Sequence, residues 1–173
     1  MSLQPSKSAD SIQSQVEILV AEAKKHNGAR DEAPALACYQ QAATLMPGAP
    51  WLQHRTAEIA RKLKQYDMAT VHYRRAAAAF IAAGFPKRAV APLRAAWQSS
   101  LVGLPAQSSR FIAVTLELAQ VQRDLGFGAE AATSISNADQ ALRSSGSVDR
   151  VPAASESEAP ASGVKSAPMR LLA

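Results

Sequence analysis

The sequence predicts an all-α chain: an antiparallel array of about seven helices, paired as repeated hairpins. Three observations carry this. Alanine is the commonest residue and the strongest helix former, while β-branched and aromatic residues, which favour strands, are few. Apolar residues recur at steps of three and four across residues 11–145. Gly and Pro then punctuate that span into segments of helical length joined by short connections, which favours antiparallel neighbours.

The first helix is expected over about 12–26, with Ile12, Val16, Leu19, Val20 and Ala23 on one face and Asn27-Gly28 as its stop. Asp31 is the expected N-cap of the second, which runs to about 46 and carries Pro34 in its first turn, where a missing N–H does little harm. Pro47-Gly48-Ala49-Pro50 breaks the chain, and Pro50 opens a third helix to about 64. The fourth covers about 67–83 and closes at Gly84. The fifth covers about 86–100, with a kink or late start expected at Pro92. After a loop over 101–107, the sixth spans about 108–125, stopped by Gly126-Phe127-Gly128. The seventh runs over about 129–143, stopped by Ser144-Ser145-Gly146. Residues 1–10 read as a polar, disordered leader. Residues 146–173, rich in Ser, Ala and Pro, read as a disordered tail, because they offer too little apolar surface to offset their ordering entropy.

The chain repeats itself. At an offset of 34, Ala23, Ala35, Tyr39 and Ala42 meet Ala57, Ala69, Tyr73 and Ala76. At an offset of 42, Ala77, Gly84, Ala89, Leu93 and Ala96 meet Ala119, Gly126, Ala131, Ile135 and Ala138. Small residues at fixed steps let helix axes approach closely. A bulky residue between them (Tyr39, Tyr73, Leu93 or Ile135) is expected to wedge into the next hairpin. Such units cannot bury a face alone and must stack.

This pattern resembles the tetratricopeptide repeat (TPR) family. The matching residues are Ala23, Ala35, Tyr39, Ala42 and Pro47 in the first unit, and Ala57, Tyr66, Ala69, Tyr73 and Ala76 in the second. They are Ala77, Phe80, Gly84, Ala89, Leu93 and Ala96 in the third, and Leu118, Ala119, Gly126, Ala131, Ile135 and Ala138 in the fourth. Leu19, Gln53 and Thr115 stand where the family has a large first-helix residue, and Arg30 and Lys64 where a turn glycine is usual. The second and third units share the fourth helix, and the offset of 42 is similar to longer-helix members of the family.

The resemblance implies a concave groove, lined by the first helix of each unit, that takes a peptide or a helix of a partner protein. Carried onto this sequence, the groove positions of the second unit are Trp51, His54, Glu58, Arg61 and Lys62. Their spacing keeps them on one helical face. Val20 and Lys24 extend the groove on one side; Arg74, then Leu116, Gln120 and Arg123, extend it on the other. Trp51 is weighed equally as an anchor for the partner and as packing against the preceding hairpin. Members that hold acidic chaperone C-termini use paired Lys and Asn. Only Lys24 fits that pattern, since Asn27 and Asn137 lie elsewhere, which argues against such a co-chaperone role.

Charge points to the kind of partner. Residues 51–100 hold nine Lys and Arg against only Glu58 and Asp67, and the rest of the chain does not add to the positive excess. An acidic protein surface is therefore favoured, against the plainer reading of solvated helix faces. Arg61, Lys62, Lys64, Arg74, Arg75, Lys87, Arg88 and Arg94 also admit a nucleic-acid reading, but no recognition motif and few interleaved aromatics accompany them.

No catalytic constellation emerges, so an enzyme is not expected. His26, His54 and His72 share no metal-ligand spacing, Cys38 reads as a small core residue, and no cofactor motif is present. The longest nearly uncharged apolar run, residues 76–85, is half the length of a membrane span, which needs roughly 20 residues. A cytoplasmic setting and, from the Ala- and Arg-rich composition, a bacterial source are expected. The favoured function is a small adaptor or scaffold binding a partner segment. The alternatives are a secretion-type chaperone and a structural subunit that self-associates into a larger assembly.

Overall fold

The computed structural model describes residues 7–104 and 106–146. Seven helices follow one another: α1 (Lys7–Gly28), α2 (Glu32–Leu45), α3 (Pro50–Lys62), α4 (Tyr66–Ala82), α5 (Pro86–Leu101), α6 (Ser108–Asp124) and α7 (Gly128–Gly146). No strand occurs among the described residues. The main packing is between sequential neighbours, closest in the pairs α1–α2, α3–α4, α4–α5 and α6–α7. Helix α4 therefore belongs to two hairpins.

Those four pairs share one backbone turn. The residues after α1, α3, α4 and α6 with positive φ are Arg30 (59°), Lys64 (60°), Gly84 (81°) and Gly126 (83°). Each turn is closed by the same two bonds. The next residue donates its N–H to the carbonyl five residues back, as Gln65 does to Ala60 and Phe127 to Gln122, both at 2.8 Å. The positive-φ residue itself donates to the carbonyl three residues back, as Lys64 does to Arg61 at 3.0 Å. This Schellman geometry satisfies carbonyls that a helix end leaves open.

Counted from these turns, the repeat has one register. The residues seven before the turn (Ala23, Ala57, Ala77, Ala119) and five after it (Ala35, Ala69, Ala89, Ala131) are all at most 2% exposed. A side chain larger than a methyl would hold the two helices of each hairpin apart. Because an L-residue in the left-handed region carries strain that glycine does not, Lys64→Gly should raise stability by about 1 kcal/mol in a denaturant melt. Gly84→Ala should lower it.

The bulky residue nine after the turn is buried in Tyr39, Tyr73 and Leu93, at 5%, 1% and 2% exposed. Ile135, at the same register, does not wedge into a further hairpin. It is 40% exposed, because α7 is the last described helix and nothing among the described residues stacks beyond it.

The polar departures from the repeat pattern carry hydrogen bonds inside the core. Buried Gln53 donates from Nε2 to the carbonyls of Ala43 and Pro47 at 3.2 and 3.3 Å, which ties α3 to the connection from α2. Its Oε1 lies 2.8 Å from His72 Nδ1. With the amide nitrogen already used as a donor, the imidazole Nδ1–H is the donor in that contact. Burial, with a smaller push from Arg75, lowers the His72 pKa and keeps the ring neutral. Thr115 accepts from the Trp97 indole N–H at 3.0 Å, and Trp97 lies 5.3 Å from the Phe111 ring, joining α5 to α6.

Several local expectations are corrected. Helix α1 starts at Lys7, inside the expected leader, and α7 continues to Gly146, past its expected stop at 143. Asp31 sits at the N-cap of α2 but makes no side-chain capping bond; its carboxylate lies 3.7 Å from His26 instead. Pro92 neither delays nor interrupts α5, which begins at Pro86 and holds Pro92 buried in its interior. The leader residues before 7 and the tail after 146 lie outside the described residues.

Candidate functional site

The expected α3 face forms and is accessible at its start. Trp51 is 48% exposed and lines a cleft of about 580 Å3 with His54, Arg55 and Glu58 of α3, Phe80 of α4, and Arg88, Ala91 and Pro92 of α5. The apolar walls are thus Trp51, Phe80 and Pro92, and the charges are Arg55, Glu58 and Arg88. The half-exposed Trp51 ring combines large apolar area with a donor N–H, the amphipathic character that recurs at binding hot spots.

An ion pair and a neighbouring imidazole contact within α3 surround Glu58 in the cleft. Arg55 Nη1 donates to Glu58 Oε2 at 2.7 Å, and His54 Nε2 lies 3.5 Å from Glu58 Oε1. The bond to Glu58 raises the Arg55 pKa, so that guanidinium stays charged and partly spoken for. The His54 ring meets Tyr73 edge-on at 5.4 Å, which fixes the imidazole against α4. Its Nδ1 is buried with no hydrogen-bond partner among the described residues.

Further along α3, Arg61 and Lys62 line a narrower recess of about 140 Å3 with Asn27, Tyr39, Arg55, Glu58 and Ile59. Lys62 Nζ lies 3.6 Å from Glu32, an exposed contact of small energetic consequence. Arg61 forms no ion pair among the described residues. Glu58 and Arg55 line both hollows, so the α3 face is one continuous strip from Trp51 to Lys62.

The other expected groove residues are elsewhere. Val20 is 8% exposed and belongs to the core, and Lys24 is exposed on α1 but lines neither hollow. Arg74, Leu116, Gln120 and Arg123 line a separate cleft of about 770 Å3 between α4 and α6 that shares no residue with the α3 strip. The reason is the shared helix. A single groove requires successive first helices to lie in one layer. The third unit's first helix, α4, is also the second helix of the unit before, so it lies across from α3 rather than beside it.

Sequence reasoning missed Phe80, Arg88, Ala91 and Pro92 as neighbours of Trp51. Phe80 and Pro92 read as repeat and kink positions, and Arg88 as one of many cations. Only the packing of α4 against both α3 and α5, which lets all three helices border one cleft, brings them together.

Among the described residues no cluster of His, Cys, Asp and Glu could hold a metal ion, and no helix is long and apolar enough to cross a membrane. Burial, then Glu22, raises the Cys38 pKa, which leaves its sulfur as the weakly nucleophilic thiol. No protein-family model matches the sequence, and no curated protein matches it either.

Proposed function

We propose that this protein is a non-enzymatic interaction module of the TPR type, an adaptor or scaffold that holds a segment of a partner protein along the α3 strip. The observation that carries the reading is the Trp51 cleft: an accessible tryptophan flanked by Phe80, Pro92 and Arg88 on helices held by small-residue contacts. A scaffold of that kind presents a hot-spot side chain without having to order it on binding. The four-fold turn and alanine register supports the TPR assignment.

An acidic partner segment suits the strip. Glu58 is engaged by Arg55 and His54, while among the described residues Arg61 forms no ion pair and the Arg88 guanidinium lies over the Phe85 ring at 5.2 Å. Rim cations of this sort act chiefly on the association rate, and salt screens them over about 8 Å at physiological strength. The cytoplasm of a bacterial cell is the proposed setting.

Affinity purification with the full chain as bait, followed by surface plasmon resonance with the recovered partner, tests the proposal. Trp51→Ala should speed dissociation and weaken binding about tenfold, which is about 1.4 kcal/mol. Arg61→Glu with Lys62→Glu should slow association and flatten its salt dependence. Unchanged binding in both variants, with helical circular dichroism retained, rejects the α3 strip. One observation favours the structural-subunit alternative: Ile135 is open at the end of the array. Concentration-dependent growth in light scattering that Ile135→Asp abolishes would select it.

A further inference from the structure

We infer that the α4–α6 cleft is a second interaction surface, separate from the α3 strip, and that it takes an amphipathic helix of a partner protein carrying acidic side chains beside its apolar face. The two clefts open on different sides of α5. Ala91 faces the α3 cleft and Leu93 the α4–α6 cleft, and residues two apart on a helix point about 200° apart.

The shape favours a helix. The Arg74–Glu117 pair and the alternation of chain direction set α4 and α6 side by side in parallel, with Leu93 of α5 as the floor between them. From Val71 to Ile81 the trough runs about 15 Å, some three helical turns. Its walls are helices whose backbone groups are already bonded internally. An extended peptide would find no ladder of donors and acceptors there, whereas a helix satisfies its own backbone.

The side chains specify the rest. Leu116 is 53% and Ile81 44% exposed, which is apolar area on opposite walls. Arg74 donates from Nε to Glu117 Oε2 at 2.9 Å and from Nη2 to Glu117 Oε1, so these two neutralise each other and brace one end of the trough. Arg75 and Arg123 remain and form no ion pair among the described residues. Asp124, the other acid in the lining, accepts from Gln120 Nε2 at 2.7 Å. Arg123 Nη2 donates to Gln120 Oε1 at 3.0 Å, a bond to a neutral amide that leaves its charge uncompensated. An incoming helix therefore meets apolar walls with a guanidinium on each whose charge has no carboxylate partner among the described residues, a match for leucines flanked by carboxylates.

The probe is a fluorescein-labelled 16-residue helical peptide with leucine at every third or fourth position and glutamate beside each leucine. It is titrated with the full chain by fluorescence anisotropy. Saturable binding is expected. It should weaken at least fivefold in Arg75→Glu and in Leu116→Asp, stay within twofold in Trp51→Ala, and fall at least tenfold when the glutamates are replaced by lysines. The unchanged Trp51→Ala result separates this surface from the α3 strip, so either can fail alone. Three results would overturn the inference: no saturable binding, equal binding of the lysine peptide, or Leu116→Asp leaving affinity unchanged while its circular dichroism matches the parent. Self-association in light scattering that Leu116→Asp abolishes and the peptide cannot compete away would make a second copy the occupant, and would also overturn it.

Discussion

Tyr73→Ala is expected to cost about 3–5 kcal/mol, the range for removing a large buried aromatic side chain. Tyr73 is 1% exposed and heads the fully buried side chains by volume. Its ring sits in the core cluster that draws on α1 through α6 and contacts His54 on α3 edge-on. The α3 and α4 helices cannot close on the space, because Ala57, Ala69 and Ala76 already bring their axes together and are themselves without exposed area. The loss should therefore include the cavity as well as the transfer of the ring to water. Urea denaturation monitored by circular dichroism at 222 nm checks this. Tyr73→Phe, which keeps the ring, should cost much less; equal losses in the two variants would move the cause from packing to the phenol.

The opposite change at a neighbouring position has the second-largest effect. Ala69→Leu is expected to cost toward the upper end of about 1–3 kcal/mol by overpacking. Ala69 is 0% exposed, five residues after the Lys64 turn, where the second helix of the hairpin first meets the first. A leucine there has no open direction, so it must either leave a favoured rotamer or separate α3 from α4. Ala91→Leu, on the exposed face of α5, is the control and should change stability little. If Ala69→Leu and the equivalent Ala131→Leu both melt with the parent chain, the shared register is not what holds the hairpins together.

The repeat was legible because close helix packing leaves a local mark. Only alanine fits where axes touch, so Ala23, Ala57, Ala77 and Ala119 show themselves by composition and spacing alone. Gly84 and Gly126 were likewise readable as turns, since glycine is the residue that adopts positive φ without strain. Arg30 and Lys64 adopt the same backbone, and only the register of the repeat, not their residue type, marked them as turn positions. Their conformation is imposed by the two bonds that close each turn, and no feature of an arginine or a lysine announces it.

The sites divide along the same line. Trp51, His54, Glu58 and Arg61 share a face because helical period alone puts them there, and the sequence determined that much of this protein, together with its seven helices and their order. Tertiary structure alone decided what faces that strip. Phe80, Arg88 and Pro92 reach Trp51, while Arg74 and Arg123 go to a different cleft. The physical reason is that α4 serves two hairpins. Helical period determines which side chains of one helix point the same way. Which helices lie in one layer depends on how the hairpins stack, and one shared helix moves every later unit to the other side.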